Sequence, residues 1–183
     1  MPRIPLLTDK DALPAEQQAE GQAIIDTLHS IRGPFAILLR SPGLAQKVME
    51  AGAHVRLQTS LTMAERETVI LTLAREKNAT YEWAAHVGVA RKNGVREEAI
   101  EVMRHGADPA GLEPDEREII TYVRQLAREN RVEQGLFDAL LGRHDERWLV
   151  EITATVGQYS YIMAINGAFE VQAAPDASDT LPV

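Results

Sequence analysis

Two glutamates and a histidine have the types and spacing for proton transfer: Glu67, Glu82 and His86. Glu82 and His86 are four positions apart, which makes them neighbours on one face of a helix. Imidazole titrates near neutrality, and an adjacent carboxylate can fix its tautomer or hold its charge. Glu67 precedes Ile70, Leu71 and Ala74 at the steps of an apolar helix face. A carboxylate on such a face must find a partner, or its proton affinity rises. If the two helices pack antiparallel with a suitable offset, His86 is that partner. Two readings stay open at this level. One is a carboxylate–imidazole set for acid–base catalysis; the other is a buried histidine satisfied by a glutamate, with no chemistry. A metal site is the weaker option, because only Glu82 and His86 cluster locally, a site needs three or more ligands, and the rest would have to come from a neighbouring subunit. The Glu-x-x-His spacing of carboxylate di-iron bundles is absent.

The elements that must position these residues read as helices almost throughout. Ile24, Ile25, Leu28 and Ile31 recur at helical steps within residues 14–31. Gly33-Pro34 interrupts, a short apolar piece Phe35–Leu39 follows, and Ser41-Pro42-Gly43 breaks again. Leu44, Val48, Ala51 and Val55 mark the next helix. Thr62, three residues before Glu65, opens a helix to Lys77 with a capping box. Thr80 is placed to cap a helix from Tyr81 to Asn93, with Trp83, Val89 and Ala90 inward beside His86 and Gly94 as the left-handed stop. Further helices are expected at Arg96–His105, Asp115–Asn130, Glu133–Leu141 and Asp145–Ala168, with a loop at Ala107–Glu113. The fold class is all-α. Residues 1–13 read as an N-terminal arm, 14–173 as one helical domain and 174–183 as a flexible tail. Leu61–Glu67 and Leu112–Glu118 echo each other; either acidic residues suit both first turns, or the fold carries a degenerate internal repeat.

Composition narrows the function. The chain has 183 residues, 45% hydrophobic and 25% charged, enough for one domain with a substantial core. A net charge of -8 without a basic stripe argues against nucleic-acid binding. The uncharged run between Glu151 and Glu170 is too polar for a good membrane span and reads as a helix buried on most sides. The N-terminal residues lack the apolar core of a signal peptide, so a cytoplasmic location is expected. With 0 cysteines the chain has no thiolate nucleophile, no thiolate metal site and no disulfide.

The block Tyr81-Glu82-Trp83-Ala84-Ala85-His86-Val87-Gly88-Val89-Ala90, followed by Gly94-Val95, resembles the signature helix of carboxymuconolactone decarboxylase-like proteins. Leu61–Leu73 with Arg66-Glu67 is similar to the family's preceding helix. The likeness continues through Glu116-Arg117-Glu118, Val156–Tyr159 and Asn166–Phe169. The resemblance implies an alkyl hydroperoxidase D-like helical bundle assembling as a homo-oligomer: a trimer, hexamer or dimer. In alkyl hydroperoxidase D a Cys-x-x-Cys-x-x-x-His helix follows a glutamate. Set by the shared histidine, Ala79 and Glu82 occupy the two cysteine positions, and Glu67 matches the upstream glutamate. Thiol peroxidase chemistry needs sulfur and is excluded.

The implied activity is cofactor-free acid–base chemistry on a small organic acid or lactone: decarboxylation, isomerisation or lactone chemistry. His86, Glu82 and Glu67 are the expected catalytic residues, with Tyr81, Arg56, His54, Tyr159 and Asn166 around the substrate. Arg40 and Arg91 are weaker candidates than Arg56 for a substrate carboxylate. His29, His105 and His144 fall near helix ends, where capping accounts for them. The alternative is a non-catalytic oligomeric protein that binds a small ligand on the same scaffold.

Overall fold

The computed structural model describes residues 1–173, 177 and 179–182. Among the described residues the regular structure is helical, with α1 at Gln18–Leu28, α2 at Phe35–Leu38, α3 at Pro42–Leu57, α4 at Met63–Glu76 and α5 at Thr80–Lys92. Then come α6 at Glu97–His105, α7 at Pro114–Glu129, α8 at Gln134–Arg143 and α9 at Glu146–Phe169. Short 3-10 turns precede α1 and α7.

α4 is the central element. Every residue from Arg66 to Ala74 is buried, and the helix packs against α5, α6, α7 and α9. Its start is fixed by the capping box read from the sequence. Thr62 Oγ1 accepts from the Glu65 backbone N–H at 3.2 Å, and Glu65 Oε2 accepts from the Thr62 N–H at 2.6 Å. Left-handed residues stop neighbouring elements: Gly94 has φ 89° and Gly106 has φ 62°. Thr80 does not cap α5, whose N-cap is Ala79 with no side-chain bond.

A second apolar cluster joins α1, α2 and α3 to α9 through Ile24, Leu38, Leu39, Met49 and Ile162. On α3 the buried row is Ala45, Val48, Met49 and Val55; Leu44 is 45% exposed and Ala51 is also exposed, so the helix is rotated from the expected stripe. Gln158 Nε2 donates to Val48 O at 3.1 Å and ties α9 to α3 beside Gly52, where a Cβ would approach that amide to 3.1 Å.

The long uncharged helix is not the buried centre expected of it. α9 buries Trp148, Ile152, Val156, Tyr159 and Met163 but exposes Val150, Ala154, Gly157 and Tyr161. Among the described residues no helix is long and apolar enough to cross a membrane.

Both chain ends lie on the helices. Arg3 N donates to Phe169 O and Leu7 N to Ala36 O, each at 2.9 Å. The expected tail, residues 174–183, falls partly outside the described residues, and the described ones make contacts with the helices. Leu181 is buried in the main core, Pro182 O accepts from Arg75, and Asp179 bonds Arg91, Arg104 and the Trp83 indole. Two arginines and a buried apolar side chain hold the segment, and the charge alternation near it gave no sign of that pairing.

Candidate active site

Glu67, on the buried face of α4, meets His86 on α5. His86 Nδ1 lies 2.8 Å from Glu67 Oε2. Glu67 Oε1 accepts from Arg66 Nε at 3.3 Å and Nη2 at 3.2 Å, so both carboxylate oxygens are paired in a position only 1% exposed. Arg66 is itself buried and also reaches the Arg56 carbonyl and the Met63 sulfur. Sequence reading left the helix offset open; the geometry supplies the contact and adds a guanidinium whose fork suits a carboxylate. An imidazole whose single N–H is the Nδ1 donor to Glu67 has its lone pair at Nε2. The ring is a fifth exposed and its edge meets Tyr159, with centroids 5.3 Å apart at 85°.

Glu82, one turn before His86, is 2% exposed. Oε1 accepts from Asn166 Nδ2 on α9 at 2.6 Å, and Oε2 is buried without a hydrogen-bond partner among the described residues. Burial raises the Glu82 pKa above the ordinary carboxylate value; the Asn166 hydrogen bond and nearby His86 offset only part of that rise. Burial likewise raises the Tyr159 phenol well above its usual range. Tyr81 is also raised by burial, against the opposing field of Arg32.

One cavity of about 180 Å³ joins these groups. His86, Glu82, Tyr81, Tyr159 and Gln158 form part of its wall, and Leu28, Phe35, Met49 and Ile162 form an apolar side. Arg56 and Arg32 complete it, and among the described residues neither forms an ion pair. In a chain of net charge -8, two unpaired guanidiniums at one cavity are a local reversal suited to an anionic group.

Arg32 escaped sequence reading because Arg32-Gly33-Pro34 looks like a plain break. The turn sits against Tyr81: Gly33 has φ 57°, and a Cβ there would lie 2.3 Å from the Tyr81 hydroxyl. Gln158 fell within the Val156–Tyr159 stretch of the family resemblance without being singled out for the site.

Other expected site residues lie elsewhere. His54 is exposed and contacts Gln58 at 3.0 Å, outside the cavity. A two-residue step is about 200° around a helix, so His54 cannot share Arg56's face. Asn166 does not form the cavity wall; it stands behind Glu82. Arg40 bonds the Pro5 carbonyl, and Arg91 pairs with Glu97 and Asp179. Val89, expected inward, is 37% exposed, whereas Trp83 and Ala90 are buried. Of the helix-end histidines, His29 and His144 are C-caps, and His105 approaches Glu101 at 3.2 Å. Among the described residues no group of three or more His, Asp or Glu side chains is arranged to hold a metal ion.

The fold is that of an alkyl hydroperoxidase D-like helical bundle, in a chain without cysteine. Residues 42–125, which contain Arg56, Arg66, Glu67, Tyr81, Glu82 and His86, match the carboxymuconolactone decarboxylase family, although the chain has no cysteine. No curated protein matches it. A peroxidase-related protein with the alkylhydroperoxidase AhpD core from Ralstonia eutropha JMP134 shares the fold at TM-score 0.78 and 16% identity, over 96% of this chain and 93% of that one. A peroxidase-related protein from Silicibacter sp. TM1040 aligns at TM-score 0.75 and 15% identity, over 99% and 98%. The debrominase Bmp8, as a cysteine-to-alanine variant in complex with 2,3,4-tribromopyrrole, aligns at TM-score 0.72 and 14% identity, over 96% and 95%. Arg32, Tyr159 and Asn166 lie outside the matched family segment.

Proposed function

We propose that the cavity carries out cofactor-free proton-transfer chemistry on a small organic acid or lactone. The observation that carries this reading is that His86 and Glu82, one turn apart, form the wall of the same cavity. Glu67 and Arg66 orient the imidazole so that Nε2 is the basic nitrogen. Glu82, with its raised proton affinity, serves as the acid. A buried carboxyl group that keeps its proton beside an imidazole forms a donor–acceptor pair, the arrangement needed for decarboxylation followed by protonation, for isomerisation, or for lactone opening. Arg56 and Arg32 hold a substrate carboxylate, and the apolar side takes the carbon skeleton.

The family match over residues 42–125 and a small planar ligand in a protein of the same fold both support a small-molecule site. Thiol-dependent peroxide reduction is excluded by the absence of cysteine, and Glu82 stands where the resemblance places the second redox cysteine. The test is turnover of 4-carboxymuconolactone and related lactone acids by the wild type, His86→Ala and Glu82→Gln, with folding checked by circular dichroism. Activity lost in both folded variants supports the proposal. Tight binding without turnover in the wild type favours a non-catalytic ligand-binding protein.

A further inference from the structure

We propose that Asn166 is the positioning residue for Glu82: its amide engages one carboxyl oxygen in both protonation states, so that the other oxygen, Oε2, carries the exchangeable proton. This rests on Glu82 being the acid of the reaction proposed above.

Glu82 and Asn166 come from different helices, α5 and α9, and are 2% and 4% exposed. Their one mutual hydrogen bond, Asn166 Nδ2 to Glu82 Oε1, is short at 2.6 Å. The remaining oxygens, Glu82 Oε2 and Asn166 Oδ1, are both buried without hydrogen-bond partners among the described residues. A carboxylate with one oxygen stranded in this way is costly, and a carboxylic acid with its proton on Oε2 costs less because it leaves no buried charge.

When Oε2–H breaks and the proton passes to the substrate, the electron pair stays on the carboxyl group and spreads to Oε1. There the Asn166 N–H already points, and its bond to a charged acceptor strengthens. Taking the proton back from solvent or product restores the acid without moving either side chain. The other titratable or charged groups around Glu82 are His86 and Tyr81 on its own helix, Tyr159 on α9, Arg56 on α3, Arg32 in the turn before α2, and Glu67 behind His86. None of these replaces the amide at Oε1.

The test follows the Glu82 carboxyl carbon by NMR titration of the full chain, the signal being assigned by its loss in Glu82→Gln. In the wild type the midpoint is expected above that of the exposed glutamates. In Asn166→Leu it is expected to rise further, by about one unit, or tenfold in proton affinity. Asn166→Asp keeps the shape and guards against misfolding of the leucine variant. There two carboxyl groups share one proton, and a midpoint raised above wild type is again expected. A midpoint at the ordinary glutamate value in the wild type, or one that stays put or falls in the folded variants, overturns the proposal. The titration uses no substrate, so failure of the proposed reaction would not be mistaken for failure of this assignment. If turnover is found, Asn166→Leu is expected to lower kcat with KM little changed.

Discussion

Replacing Glu67 with glutamine removes the charge that Arg66 and His86 share while keeping the side chain's shape. The Arg66 and Glu67 side chains are 6% and 2% exposed, so water cannot substitute for the lost counter-charge. Breaking a buried ion pair from one side costs about 3–5 kcal/mol. The glutamine carbonyl can still accept one bond, which places Glu67→Gln near about 3 kcal/mol. For a chain of 183 residues that corresponds to a fall in Tm of about 6–12 °C. Urea unfolding followed by circular dichroism measures it, with an unchanged m-value showing that the loss is one of stability. The double variant Arg66→Met/Glu67→Gln is expected to cost less than the sum of its parts, because the stranded guanidinium is gone as well. A Glu67→Gln stability within about 0.5 kcal/mol of wild type would refute the reasoning.

Other expectations follow from the same structure. Burial would raise the Asp179 pKa, but hydrogen bonds from Arg104, Arg91 and Trp83 bring it down to about 2 from 3.8. Its contribution, about 2 kcal/mol, is therefore complete above the unfolded value and lost as pH falls through the folded one. Asp179→Asn should lower stability by about that amount at pH 7, and the gap should close toward pH 2, as read by urea midpoints across pH. Gly33→Ala must move either the turn or Tyr81; a loss of about 1–3 kcal/mol in thermal unfolding is expected, with weakened ligand binding. Arg56→Gln and Arg32→Gln are expected to weaken binding of a small carboxylate about tenfold each by calorimetry, with Tm little changed.

Local signals carried far along this chain. Thr62 and Glu65 read as a capping box because both partners lie within one turn, and Gly94 reads as a stop because left-handed backbone favours glycine. The type and order of the helices followed from such marks. Side-chain orientation did not follow as well: α3 is rotated by about one residue from its apparent stripe, and α9 exposes a row that its composition suggested was covered. At the site, Glu67 and His86 were legible as a polar pair on apolar faces. Arg32 and Gln158 were not, since their arrival at the cavity depends on how the α1–α2 turn and α9 cross α3 and α5. His54 misled because nearness to Arg56 in sequence is not nearness on a helix. Asn166 was recognised as polar on the last helix, but only the packing of α9 against α5 assigns it to Glu82.

The most direct test of the central claim is hydrogen–deuterium exchange at carbon in a panel of small lactone acids and unsaturated carboxylates, followed by NMR in heavy water. Wild-type protein is expected to exchange protons beside the carbonyl of an accepted compound, with the rate cut by two orders of magnitude or more in folded His86→Ala and Glu82→Gln. Exchange that proceeds equally in the wild type and both variants would contradict the assignment of proton transfer to this pair.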